Sequence, residues 1–262
     1  MKLLSITEFD VCESTNDEAW KFVPRDQKED FSPTLVITHR QTKGRGRQGR
    51  PWESSMEGNI LASLAMPAPE RNLGWLPLAA GVATIEALQH ACELAGEAQL
   101  DGLHLKWPND ILFNQAKMGG ILCESRFSGE QALGAVVGLG LNITAAPQIE
   151  GVRTASLVKD VLTHVKQPLN PKLLAAMRWF FLREWALRVL SWTSEISDGK
   201  TEKLRDTWKK YAKLEHFPDL SVHDRAGKTV KLTAIDLEAD GRLKASTRDD
   251  AKIVFLDQAD SI

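Results

Sequence analysis

Apolar and polar positions divide the chain into a strand-rich first part, a helical middle and a short strand-rich tail. Leu4 to Val11 predicts a strand, and the compact β-branched run Thr34-Leu35-Val36-Ile37-Thr38 a buried one. Asn59 to Met66 predicts a third strand, and Trp75 to Ala95, apolar on most sides, a helix packed across a sheet. Leu103 to Phe113 reads as two strand pieces broken by a Pro-Asn-Asp turn. Lys117 to Glu124 then resumes the sheet, and Ser128-Gly129-Glu130 turns it into Ala132 to Ile143. Adjacent strand segments without helical crossovers predict antiparallel pairing, hence an α+β organisation.

After Gly151 the period becomes helical. Leu173, Leu174, Met177, Phe180, Phe181, Trp185, Val189 and Trp192 predict a long amphipathic helix whose tryptophans belong to the core. A second helix runs through Leu204, Trp208 and Tyr211 to Phe217-Pro218. The tail carries strand-like runs at Thr229 to Leu237, Leu243 to Ser246 and Ile253 to Leu256, punctuated by Ala226-Gly227 and Asp240-Gly241, which predicts a small β-barrel-like unit. Near the start, Ser14-Thr15-Asn16-Asp17-Glu18 opens a short helix ending near Pro24. Thr15 and Glu18 have the spacing of a capping box, and 26–32 reads as a charged loop.

Composition adds mainly exclusions. The chain has 262 residues, 43% hydrophobic and 26% charged, which fits one large domain with a smaller appendage. A net charge of −2 and pI near 6.3 argue against a general nucleic-acid surface, while leaving room for a local basic groove. Cys12, Cys92 and Cys123 are widely spaced, so a reducing compartment is expected, with no zinc site. No signal peptide is visible, and Glu86, His90 and Glu93 interrupt the most apolar stretch; the expected location is cytoplasmic, with no membrane partner.

The chemistry centres on Gln41-Thr42-Lys43-Gly44-Arg45-Gly46-Arg47-Gln48-Gly49-Arg50-Pro51-Trp52. Its glycines let backbone donors approach an anion, its arginines offer planar forks, and its tryptophan can cover a flat ring. Gly44-x-Gly46-x-x-Gly49 has dinucleotide-fingerprint spacing, but Arg50-Pro51-Trp52 follows where a helix should begin. A Walker A loop also fails, for want of a closing Gly-Lys-Ser/Thr. On its own this is an anion-binding loop held between two strands, or a solvated basic turn. Lys106 precedes a fixed turn and can neutralise a carboxylate and a phosphate that otherwise repel each other. Asn109 and Asp110 also suit simple turn organisation. Lys117 beside Gly119-Gly120 repeats the logic, and Gly138-x-Gly140-x-Asn142 adds strand glycines that often mark only bulges.

In combination, Gly44-Arg45-Gly46-Arg47-x-Gly49, Lys106-Trp107-Pro108-Asn109-Asp110, Lys117-x-Gly119-Gly120-Ile121-Leu122-x-Glu124 and Gly138-x-Gly140-x-Asn142 resemble the motif set of the biotin protein ligases. Ser14-Thr15-Asn16 and Thr154-x-Ser156-Leu157 match two further segments of that family. The resemblance is strong over residues 1 to about 160. It implies an SH2-like α+β catalytic domain with a mixed β-sheet and flanking helices over 1–213, then a small SH3-like β-barrel over 214–262. It also implies formation of biotinyl-5′-AMP from biotin and ATP with Mg2+, without an intrinsic metal site. Biotin then passes to a lysine of a biotin carboxyl carrier domain, such as that of acetyl-CoA carboxylase.

By the same resemblance, biotin would be held by Ser14, Thr15, Asn16, Gln41, Gly44, Arg45, Gly46, Arg47, Lys106, Gly119 and Gly120. The nucleotide would meet Arg45, Arg47, Trp52, Asn109, Lys117 and Asn142, and Lys106 and Arg47 would act at the reacting centre. Gln48 and Lys43 depart from the family pattern, as do His216 and the tail at 257–262. The catalytic motifs begin by residue 14, so neither a DNA-binding repressor domain nor a DNA partner is expected; homodimerisation through a sheet edge stays open. Lipoate or octanoyl transfer is the competing enzyme activity, and a nucleic-acid module built on the Gly/Arg loop the competing non-enzymatic one.

Overall fold

The computed structural model describes residues 4–25, 31–53, 58–93, 96, 100–163, 170–216, 219–223 and 229–256. Strands β1 (Ser5–Cys12), β2 (Thr34–Gln41), β3 (Ile60–Met66), β4 (Leu103–Lys106), β5 (Asp110–Phe113), β6 (Ala116–Ser128) and β7 (Gln131–Leu141) form one sheet in the order β1-β2-β3-β7-β6-β5-β4. The β4 to β7 run is antiparallel throughout, as the lack of crossovers requires. Among the described strands only β1 and β2 pair in parallel, with α1 (Thr15–Ala19) in the connection between them, so the sheet is mixed.

Alternation along the strands gives the sheet two unlike faces. Leu35, Ile37, Ile60, Ala62, Leu64, Val137, Leu139 and Leu141 join the main core with three helices, α2 (Leu76–Glu93), α3 (Pro171–Ser197) and α4 (Glu202–Ala212). Asn170 caps α3, its side chain accepting from Leu173 N–H at 2.9 Å, just before a proline that needs no partner for its missing donor. Trp185 and Phe181 of α3 and Trp208 of α4 are fully buried and Trp192 nearly so, as expected for these core positions, whereas Trp179 on α3 is exposed. On the opposite face only a small cluster, Ala19, Val23, Phe31, Val36, Ala65 and Val136, packs under the α1 segment. Toward Gly138, Gly140 and Gly120 the same face borders a cavity.

The tail forms a second, antiparallel sheet of β8 (Asp219–His223), β9 (Thr229–Leu237), β10 (Leu243–Thr247) and β11 (Ile253–Leu256), in the order β11-β10-β9-β8. Leu220, Leu232, Leu237 and Leu243 belong to the same hydrophobic core as the helices. A long hydrogen bond from Trp107 Nε1 to Gly241 O (3.4 Å) also ties this sheet to the β4–β5 turn. A strand at β8 was not among the tail runs expected from sequence. Most of the 26–32 loop, the helix end at 94–95, Phe217-Pro218, the turn at 226–227 and the terminus at 257–262 lie outside the described residues.

One expectation is overturned. Thr15 and Glu18 make no capping box: Ser14 occupies the cap position without a side-chain cap, and Thr15 is the first helical residue. The Thr15 hydroxyl is drawn instead to Gln41 Oε1, 3.0 Å away on β2, because a buried hydroxyl takes a tertiary partner where one is in reach.

Phe181→Ala, which empties a fully buried site on α3, is expected to lower the unfolding free energy by about 3–5 kcal/mol. Urea denaturation measures it, and a loss below about 1 kcal/mol would contradict the packing described.

Candidate active site

The face of the sheet opposite the helices is hollowed where its outward-facing residues are small. Ser63 on β3, Gly138 and Gly140 on β7 and Gly120 on β6 are neighbours in register, Ser63 opposite Gly138 and Gly120 opposite Gly140. Above them lies a cavity of about 540 Å³, walled by α1, the 41–52 segment, the β4–β5 turn and the stretch from Pro147 to Thr154.

Polar residues of the α1 start form one end of the floor. Ser14, Thr15 and Asn16 are almost fully buried, and Thr15 and Asn16 are tied into one hydrogen-bonded chain. Thr15 N–H donates to Gln41 Oε1 at 2.7 Å, and Ser63 Oγ lies 2.7 Å from Thr15 Oγ1 and donates to Asn16 Oδ1 at 2.6 Å. Asn16 Nδ2 in turn donates to Glu124 Oε2 at 2.8 Å, which also accepts from Trp20 Nε1 at 3.2 Å. A side chain at Gly138 would overlap the Asn16 amide, so this arrangement needs a glycine there.

The Gly/Arg loop is a folded finger, braced beyond its two strand ends. Arg45 and Pro51 bridge as an antiparallel pair, Gly46 N–H donates to Arg50 O (2.7 Å) and Trp52 N–H to Gly44 O (2.9 Å). Gln48 sits at its tip with φ 55°, a left-handed conformation that costs a non-glycine residue about 1 kcal/mol or more. Lys43, the other departure from the family pattern, pairs with Glu13 at 2.8 Å on an exposed surface. The Trp52 indole lies against the bare backbone of Gly140 and near Gly120, with Lys117 Nζ 5.9 Å from a ring centroid.

The cations of the cavity differ in their engagement. Arg45 makes a bidentate pair with Asp17 (2.7 and 2.9 Å) and lies 3.6 Å from Glu124; the hydrogen bond to Asp17 raises its pKa above the ordinary arginine value. Arg47 is partly buried and reaches Asn109 Oδ1 at 3.4 Å; desolvation lowers its pKa, with the Asp110 charge acting the other way. Lys117 pairs with Asp110 at 2.7 Å. Lys106 ends β4 with an exposed side chain at the cavity wall.

All but two of the residues assigned from sequence to biotin, the nucleotide or the reacting centre line this one space. Gly44 and Gly119 do not: added side chains there would meet Trp52 O and the Leu141 and Ile111 side chains, so both glycines permit close packing behind the wall. Asn142 lines the cavity while donating to Ala155 O at 3.2 Å, which fastens β7 to the 154–157 segment. Sequence reasoning missed Ser63, Asp17, Ile149, Val152 and Leu220. Ser63 had a usable signal, a lone hydroxyl inside the wholly buried run Ile60–Met66, which demands a partner. Ile149, Val152 and Leu220 give the outer wall an apolar rim, with Leu220 supplied by β8.

The arrangement offers a polar floor, a flat aromatic surface and cations clustered near the β4–β5 turn. It suits a ligand with a hydrogen-bonding head and an anionic end.

The family model described as the biotin/lipoate A/B protein ligase family matches residues 8–142. A biotin–[acetyl-CoA-carboxylase] ligase of Mycobacterium tuberculosis is 33% identical over 167 residues, covering 62% of this chain and 56% of the relative. The chain spans about half the length of the curated relatives it matches. A solved biotin protein ligase of Leishmania major in complex with biotin aligns over 97% of both chains, with a TM-score of 0.60 and 26% identity. A biotin protein ligase of Aquifex aeolicus in complex with biotin and ATP aligns over 97% of both chains, with a TM-score of 0.68; at 21% identity this speaks for the fold alone.

Because Trp52 rests on the Gly140 backbone, Gly140→Ala is expected to lift the indole and loosen the finger. Limited trypsin digestion should then cut after Arg45 or Arg47 about tenfold faster or more, an opening made easier by over 1 kcal/mol. An unchanged cleavage rate would mean that the finger does not depend on this contact.

Proposed function

The chain belongs to the biotin/lipoate A/B protein ligase family, and from that membership we propose that it activates biotin with ATP to biotinyl-5′-AMP and passes biotin to a lysine of a biotin carboxyl carrier domain, such as that of acetyl-CoA carboxylase. The observation that carries this reading is the pairing, in one cavity, of a neutral hydrogen-bonding floor with a cluster of cations. Relatives and solved neighbours whose names specify biotin favour that substrate over lipoate.

A carboxylate and a triphosphate are both anions, so their reaction needs positive charge positioned in advance. We assign the biotin ring system to Ser14, Thr15, Asn16 and Gln41, above the bare backbone of Gly120, Gly138 and Gly140. Its carboxylate then points to Lys106, where the α-phosphate also lies, with Arg45, Gly46 and Arg47 closing over both. The exposed Arg45–Asp17 pair is of a kind worth about 0–1 kcal/mol, so an incoming anion in a drier site can take the guanidinium from Asp17. Gly44 and Gly119 contribute through the packing they permit.

Trp52, with the apolar rim of Ile149 and Val152, offers a surface for the adenine, near Asn109, Lys117 and Asn142. Once formed, the mixed anhydride is shielded from water by the finger until a lysine amine attacks its acyl carbon and AMP leaves. Among the described residues no group of three or more His, Cys, Asp or Glu is placed to hold a metal. We assign magnesium to the ATP phosphates, where it would neutralise charge.

We divide the chain into a catalytic domain over 1–213 and a small SH3-like domain over 214–262, the latter lending Leu220 to the cavity. Three free cysteines, two of them buried, favour a reducing, cytoplasmic setting. No described helix is long and apolar enough to cross a membrane.

ATP–pyrophosphate exchange tests the activation step: it should depend on biotin and ignore lipoate, and exchange driven by lipoate, or by neither acid, would refute the reading. Lys106→Ala should reduce the exchange rate by about 10²–10³-fold or more, the loss of a principal electrostatic donor. Near-normal exchange in that variant would remove Lys106 from the reacting centre. Arg47→Ala should release biotinyl-AMP faster than the unaltered protein; an unchanged dissociation rate would remove its retaining role.

A further inference from the structure

A second cavity, of about 330 Å³, adjoins the first. The two share walls at Lys106, Asp110, Lys117 and Leu220, and the second runs between the β4–β5 pair, the 151–153 turn and the C-terminal sheet. None of Ser14, Thr15, Asn16 and Gln41 lines it, so it lies off the Lys106 end of the main cavity, away from the polar floor.

Its charge is only partly balanced internally. Lys117 is paired with Asp110, and Asp219 with Arg248, whereas Lys106 and Arg153 have no ion-pair partner among the described residues. Arg153 is exposed, yet its backbone is fixed: Lys117 N–H donates to Arg153 O at 2.7 Å, and Ala155 N–H to Lys117 O at 2.9 Å. The 153–155 stretch thus runs alongside Lys117, joined to it by a single parallel bridge at Thr154, and Arg153 lines the second cavity.

Displacement at phosphorus requires the attacking and leaving oxygens to lie in line on opposite sides of the phosphorus atom. With a carboxylate arriving from the Thr15–Gln41 side and the α-phosphate at Lys106, the leaving group emerges on the far side of Lys106. We propose that the second cavity receives the pyrophosphate leaving group and that Arg153 is a cation this chain supplies for it. The inference rests on the adenylation reading. In that step a biotin carboxylate oxygen bonds to the α-phosphorus while the bond from that phosphorus to the α,β-bridging oxygen breaks. The electron pair departs on that oxygen with pyrophosphate, and nothing is oxidised or reduced.

Inorganic pyrophosphate is the probe. In biotin-dependent ATP–pyrophosphate exchange, Arg153→Glu is expected to raise the KM for pyrophosphate about tenfold or more while that for biotin stays within about twofold, as loss of one charge-assisted contact predicts. Arg153→Lys should recover most of the effect, and Arg153→Gln carries the same test should the reversed charge impair folding. An unchanged KM for pyrophosphate, or an equal rise for biotin, overturns the assignment of Arg153. Absence of exchange in the unaltered protein would instead defeat the adenylation reading.

Discussion

The site depends on one buried amide. Asn16 is held over the bare backbone of Gly138 by Ser63 on one side and Glu124 on the other. A buried amide without partners would cost about 1–3 kcal/mol, so its presence obliges β3 to supply a hydroxyl and β6 a carboxylate at matching positions. The same obligation keeps a side chain off Gly138. Glu124 then extends the chain of contacts to Trp20 and toward Arg45, which Asp17 of α1 also holds, so carboxylates join the floor of the cavity to the finger above it.

Electrostatics follow from this frame. The fold gives Arg45 and Lys117 acidic neighbours at short range, Asp17 and Asp110, while Lys106 ends its strand without such a neighbour among the described residues. Partnered cations keep their positions in the empty cavity, and an unpartnered one gives an incoming anion its first attraction. The finger is ordered along its whole length by backbone hydrogen bonds and by Trp52 on Gly140. It forms a shaped wall of the cavity.

Much of this was legible in the sequence where a pattern has one physical solution. The strand run from Leu103 to Ile143 had no helix to cross with, so its antiparallel order followed, and the period through Leu173 to Trp192 left little but a core helix. The parallel β1–β2 pairing was not drawn from the pattern, although a helix was expected between the two strands: a helix this short does not by itself decide the direction in which they pair. The capping-box reading of Thr15 failed for a related reason: local spacing competes with a tertiary partner, Gln41, which only the folded sheet brings near. Ser63, Asp17 and Leu220 belong to the same class, residues whose roles arise from register and from the docking of a distant sheet. Gly44 and Gly119 show the converse, motif glycines whose open space is filled by neighbouring protein.

The most direct test of the account is product chemistry. The 262-residue chain would be incubated with biotin, ATP, magnesium and a biotin carboxyl carrier domain, and the carrier analysed by intact-mass and peptide mass spectrometry. The account predicts one biotinyl group on one lysine, dependent on both biotin and ATP. An unmodified carrier, or modification that proceeds without ATP, would contradict it.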